Sequence, residues 1–448
     1  MPVLTHKVPK RILSNLLASV SAGVVPRSGA PYLAIGRKNE IAALLGDLES
    51  VNEGNGTLRF LIGPYGSGKS FLIQLVRGYA LDNNFITADA DLSPERRLYG
   101  TNGTGVATYR ELLRNMGSKT CPDGGALPGI LMRWVDGLRT GLLEQQGREP
   151  DGKELLLAAA KALQALENQV GGFDFAKVVT EYYRAQTEDD NDLRTACLQW
   201  LRGEFTTRTE AKRALGFTVS QIITDENWYG FIKLWAETVR LMGYRGLVVF
   251  IDECVNLYKI AHRVTRENNY EKILSMFNDT LQGKAPGLGI VLGGTPQFLE
   301  DTRRGLFSYE ALRSRLCDSR FNSDQFVNLI GPVIRIRRLS DDELFALLQR
   351  VNALYEQQYT WTPRLTEADM TSFLNVCLER AGANVLITPR EILRDYLTVL
   401  NLLMQNPDST YESIAASAIR LTPSPTAEAD SAVQAPEPSA FDPADLIF

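Results

Sequence analysis

The stretch Gly63-Pro-Tyr-Gly-Ser-Gly-Lys-Ser70 holds the residue types that phosphate chemistry needs, in a spacing that suits it. Six mostly apolar residues from position 57 lead into it, and a helical pattern with Phe71, Leu72, Leu75 and Val76 follows. Glycines permit a tight loop whose amides point inward, seated on the positive end of the next helix dipole. In that frame Gly63, Pro64, Tyr65, Gly66, Ser67 and Gly68 wrap the phosphates of ATP. Lys69 reaches the β- and γ-phosphates, and the Ser70 hydroxyl takes a position on Mg²⁺.

A second apolar run, LVVFIDE, ends in Asp252 and Glu253. Asp252 can hold Mg²⁺ through water and Glu253 can polarise an attacking water; the other reading of Glu253 is an ordinary helix-start acid. The DxxG and NKxD elements of GTP-binding switches are absent. GIVLGGTP reads as a buried strand running into Thr295, either a polar sensor that orients the water or a turn residue before Pro296. YEALRSRLCDSRF offers Arg313, Arg315 and Arg320. Arg315, ahead of Arg313, is the candidate to reach a neighbouring subunit's γ-phosphate, the alternative being a solvated basic face. ITPREILRDYL encodes a helix start: Thr388 caps, Pro389 fits the first position and Glu391 completes a capping box. Arg390 then sits on the first turn, where the dipole disfavours a cation, so it either meets an anion such as bound nucleotide or serves the structure alone.

Buried apolar strands alternating with helices predict an α/β fold with a parallel sheet. Residues 1–30 read as a lone helix and a loop, and 31–338 as a P-loop ATPase core in which 107–243 form a helical insertion. Residues 85–93 and the run VIRIRRL are further strand candidates, and 339–420 make a helical lid. The tail, 421–448, is rich in Pro, Ala, Ser and Glu and reads as disordered, with a partner-docking peptide at 441–448.

The chain carries 53 acids and 48 bases, and five acids in the base-free tail account for the difference. The body is thus neutral, and any nucleic-acid contact must come from a local patch or from assembly. Five scattered cysteines and two histidines, with no CxxC pair, argue against zinc and suit a reducing compartment. No apolar run is long enough to cross a bilayer, and the N-terminal apolar stretch reads as an amphipathic helix rather than a signal peptide, so a cytoplasmic location is expected.

Together these pieces resemble an AAA+ ATPase, with Gly36, Arg37 and Glu40 in AIGRKNEI similar to the adenine-side box of the origin-recognition and helicase-loader branch. GPYGSGKS, DLSPERRLYG, VVFIDE and GGTPQFLEDTRRGLFSYEALRSRL look like the BrxD family of ATP-binding proteins from BREX phage-defence systems. The resemblance implies ATP and Mg²⁺ at residues 63–70 and Asp252, and hydrolysis by Glu253. It also implies a defence role beside a partner helicase, a methyltransferase and related proteins. An arginine acting in trans calls for a homo-oligomer, and the expected use of ATP is assembly on DNA or loading or regulating a helicase. The rival expectation is a slow nucleotide-gated switch that binds protein only. Far more chain lies between Lys69 and Asp252 than a minimal core of this kind needs, which the insertion must fill.

Overall fold

A computed structural model describes residues 7–318, 328–380 and 387–417. The expected tail 421–448, its docking peptide and Arg320 lie outside the described residues. The sheet consists of β1 (Thr57–Ile62), β2 (Ile86–Asp91), β3 (Leu247–Asp252), β4 (Leu288–Gly294) and β5 (Val333–Arg335). Its order is β2-β3-β4-β1-β5, and all the pairings are parallel. The strand expected over VIRIRRL is confined to its first three residues, where Phe60–Ile62 supply the backbone partners.

Helices α1 (Lys10–Ser21) and α2 (Lys38–Asn52) precede β1, and α3 (Lys69–Asp82) links β1 to β2. Between β2 and β3 run α4 (Thr104–Arg114), α5 (Leu127–Gln146), α6 (Gly152–Leu163), α7 (Gly172–Thr187), α8 (Asn191–Leu201), α9 (Arg208–Leu215) and α10 (Trp228–Leu241). After β3 come α11 (Val255–Tyr258) and α12 (Arg263–Leu281), and after β4 come α13 (Pro296–Glu300) and α14 (Glu310–Leu316). The described chain ends in α15 (Asp341–Tyr359), α16 (Glu367–Arg380), α17 (Pro389–Gln405) and α18 (Tyr411–Ser417).

Side chains alternate across a strand, so the two faces of the sheet bury different sets. Leu61, Val248, Phe250 and Val291 pack on one face with Leu72, Leu75 and Val76 of α3 and Leu48 of α2. Phe60, Val249, Ile251 and Ile290 pack on the other with Tyr109, Phe175, Trp228 and Trp235 of the insertion. The insertion, together with α12, thus covers one sheet face. Within the insertion a polar chain is buried and paired: the Trp235 indole donates to the Tyr109 hydroxyl at 3.1 Å, which donates to the Leu201 carbonyl at 2.7 Å.

The N-terminal helix, expected to stand alone, joins a third core. Leu13, Leu16, Leu17 and Val20 are buried against Leu347, Leu348 and Val351 of α15 and Leu397 and Leu400 of α17. An amphipathic helix gains its burial only against another apolar face, and the C-terminal helices supply it. The Gln357 side chain clasps the Val8 backbone, accepting from its amide at 3.3 Å and donating to its carbonyl at 2.8 Å. Leu16→Ala, at a fully buried position, is expected to destabilise this core by about 2–5 kcal/mol. Limited proteolysis should then cut the C-terminal helices faster than in the unsubstituted chain while sparing the sheet.

Candidate functional site

Gly66, at φ +75°, lies under Thr388, and an added Cβ would come within 2.7 Å of the Thr388 methyl. The phosphate loop therefore touches the start of α17 directly. No side chain caps α3, so its first amides remain available to an anion. Lys69 Nζ donates to the Gly63 and Pro64 carbonyls at 2.8 and 3.0 Å. Burial lowers its pKa, against the opposing pull of Asp252 and Glu253. An ammonium held by its own loop carbonyls can exchange them for phosphate oxygens without crossing the site.

Ser70 Oγ donates to Asp252 Oδ2 at 2.6 Å, joining residues 182 positions apart. Asp252 Oδ1 accepts the Glu253 amide at 2.8 Å. A side chain at Gly293 would collide with the Asp252 carboxylate, which explains the small residues ending β4. Two hard oxygen donors converging here fit Mg²⁺, which keeps several waters and completes its shell with substrate phosphates. Among the described residues no group of three or more His, Cys, Asp and Glu makes a protein-only metal cage, so a bound ion would depend on those phosphates.

Glu253 has φ +57°, a left-handed conformation that costs about 1–2 kcal/mol for a side-chain-bearing residue. The turn is held by Cys254 donating its amide to the Gly293 carbonyl at 2.9 Å. The carboxyl is reached by solvent, yet partial burial raises its pKa, followed by the charges of Asp252 and Asp91, with Lys69 and Lys259 opposing. Asp91 pairs in register with Asp252, and burial followed by Asp252 raises its own pKa. Sequence reasoning did not single out Asp91. Its acid closes the strand ITADAD, but only the β2–β3 pairing brings it beside Asp252.

The other candidates separate clearly. Arg390 lines the same cleft as Lys69, Ser70 and Glu253. The Thr388–Glu391 capping box that orients it is formed, with both reciprocal hydrogen bonds present. Thr295 sits at the end of β4 and accepts the Phe298 amide at 3.3 Å, capping α13. Arg315 is exposed on α14, donating to the Ala311 carbonyl of its own helix at 2.7 Å, and it is not among the described residues that line the cleft. Arg313 is exposed as well.

Arg37 lines the cleft but is buried and committed to backbone. Its guanidinium donates to the Ser67 carbonyl at 2.9 Å and to the Arg337 carbonyl, and it pairs with Glu40 at 3.4 Å. It therefore braces the phosphate loop against the segment that follows β5. Gly36, at φ +70°, is packed against the Glu343 carboxylate. Beside the loop the cleft has an apolar wall, made by Val20, Val25, Pro26 and Ile35 from the N-terminal segment and by Leu347 and Leu393 from α15 and α17. Sequence reasoning missed this wall; its only signal was the apolar stripe of α1 continuing into Val24, Val25 and Pro26.

The family described as BREX system ATP-binding protein BrxC/D matches residues 8–418. The chain belongs to that family. The match covers BrxC and BrxD together, spans sheet, insertion and C-terminal helices alike, and gives the chain an ATP-binding role in a BREX system. A comparison with curated proteins gives no match. Among the described residues no helix is long and apolar enough to cross a membrane.

The brace has a measurable consequence. Arg37→Met leaves the Ser67 and Arg337 carbonyls and the Glu40 carboxylate without their donor. It is expected to lower the stability of the nucleotide-free chain by about 1–3 kcal/mol. Thermal unfolding without nucleotide checks this; an unchanged midpoint would mean that Arg37 serves the ligand alone.

Proposed function

We propose that the chain is a Mg²⁺-dependent ATPase of AAA+ type in a BREX phage-defence system. It couples ATP binding and hydrolysis to assembly on DNA or to loading or regulating a partner helicase. The observation that carries the reading is the convergence of Lys69, Ser70, Asp252 and Glu253 at one end of a parallel sheet. Bound Mg²⁺, held by Ser70 and Asp252, would neutralise charge developing on the phosphates. Lys69 would hold the terminal phosphates, and Glu253 would accept a proton from the attacking water.

Further features support the assignment. β4 lies between β1 and β3, as the position of a polar sensor requires, and Thr295 ends it; its hydroxyl would have to leave the α13 cap to orient water. Arg390 beside the phosphate loop supports a role in reading bound nucleotide from the lid. The exposure of Arg315 supports a role only toward a neighbouring subunit, and so a homo-oligomer. The apolar wall next to the loop suits an adenine ring. The separate apolar clusters support a core over 31–338 that includes the insertion 107–243, and a lid over 339–420 to which α1 adds.

One observation favours a second reading, a slow nucleotide-gated switch that binds protein alone. The body has no excess of positive charge, which gives DNA no general field to follow.

Nucleotide binding and single-turnover hydrolysis separate the roles. Lys69→Ala is expected to weaken ATP binding tenfold or more. Glu253→Gln is expected to bind ATP normally and hydrolyse it at least about a hundredfold more slowly, the range for loss of a general base. Hydrolysis that survives Glu253→Gln would remove Glu253 from the mechanism.

A further inference from the structure

The ATP site leaves the helical insertion without a role beyond covering the sheet. One corner of it is built differently from the rest. α8 and α9 are joined by the turn Arg202-Gly-Glu-Phe-Thr-Thr207, giving two packed helices at a short connection. The turn is fixed from below. Arg110 Nε donates to the Gly203 carbonyl at 2.7 Å, and Phe205 is buried. α9 anchors itself by Ala211 and Leu215, both buried, and presents Arg208, Thr209, Lys212 and Arg213 to solvent.

Between positions 202 and 220 four bases face two acids, in a chain whose body is neutral. One of the two, Glu210, is committed to the turn, accepting from the Thr206 amide at 3.0 Å and its hydroxyl at 2.9 Å. The nearby Asp174 is buried and accepts the Ser220 and Gln221 amides at 2.9 and 3.0 Å. The acidic stretch that opens α8 sits at the far end of that helix, about 16 Å from the turn. What α9 presents to solvent is therefore three cations and the Thr209 hydroxyl, with Arg208 also donating to the Ser220 carbonyl at 3.2 Å and the exposed Glu204 in the turn before it. Cationic side chains with a hydroxyl donor on a helix are a combination that contacts nucleic-acid phosphates, and an exposed helix face backed by a second helix can lie against a duplex.

We propose that the α8–α9 corner is a duplex-DNA contact surface, with Arg208, Lys212 and Arg213 meeting backbone phosphates. It deepens the DNA branch of the proposed function and rests on that branch. It also resolves the difficulty raised by the neutral body, because a local patch of this kind needs no general field.

The test is binding of the full chain, with ATP and Mg²⁺, to a short fluorescent duplex and to a single strand of the same length. Three phosphate contacts contribute a salt slope of about −2.7, roughly a fortyfold loss between about 50 and 200 mM salt. The triple variant Arg208→Gln, Lys212→Gln, Arg213→Gln is expected to bind duplex at least tenfold more weakly with a flatter salt dependence, and to bind a fluorescent ATP analogue normally. Arg208→Lys with Arg213→Lys should retain most of the binding, and Lys153→Gln with Lys161→Gln, exposed bases elsewhere on the insertion, should change nothing. If the triple variant binds duplex like the unsubstituted chain, the surface is wrong while the functional reading stands. Equal loss on the single strand would overturn the duplex assignment. An unsubstituted chain that binds ATP but no duplex at low salt would overturn both this surface and the DNA branch.

Discussion

The hydrogen bond from Ser70 to Asp252 is the constraint around which the rest of this structure is arranged. Ser70 opens α3 just after β1 and Asp252 ends β3, and the long insertion separates them in sequence. They meet because β4 spaces β1 and β3 so that both end at the same edge, and because glycine at position 293 leaves room for the carboxylate. This contact satisfies two polar groups that would otherwise lose water without compensation. In the proposed metal site the same two oxygens would have a stronger partner in a divalent cation bound with ATP. The resting contact and the proposed metal site are two occupancies of one geometry.

Around that contact the protein keeps opposing tendencies in balance. Asp91, Asp252 and Glu253 crowd one edge of the sheet with Lys69 beside them, and Glu253 is held in a left-handed turn that its side chain disfavours. Local strain and crowded charge of this kind persist where surrounding structure over-determines them, most often at functional sites. The supporting structure is concrete here: Arg37 ties the phosphate loop to the segment after β5, and Thr388 rests on Gly66. A change in the phosphate loop is therefore felt at the start of α17 through direct packing, and α17 shares its core with the N-terminal helix.

Much of this was legible in the sequence because the residues concerned are governed by local rules. The GxxxxGKS loop, the LVVFIDE strand and the TPRE capping box each carry their own backbone logic, and each appears where that logic puts it. What was not legible depends on pairing between distant segments. Asp91 is an unremarked strand acid until β2 aligns with β3. Arg37, read as part of an adenine-side box, spends its guanidinium on carbonyls that no sequence pattern announces. The α1 helix looked solitary because its partner face lies more than three hundred residues away in α15 and α17. Thr295 and Arg315 show the complementary case: the strand leading to Thr295 and the helix carrying Arg315 were foreseen, while their side chains are engaged in local hydrogen bonds.

The most direct measurement of the central claim is the affinity for ATP with and without Mg²⁺, for the unsubstituted chain and for Asp252→Asn. If Ser70 and Asp252 form the metal position, Mg²⁺ should tighten ATP binding to the unsubstituted chain tenfold or more. Asp252→Asn should keep the metal-free affinity and lose that enhancement. An Asp252→Asn chain with the full Mg²⁺ enhancement would contradict the account, because the contact between β3 and the phosphate loop would then have no part in holding the ion.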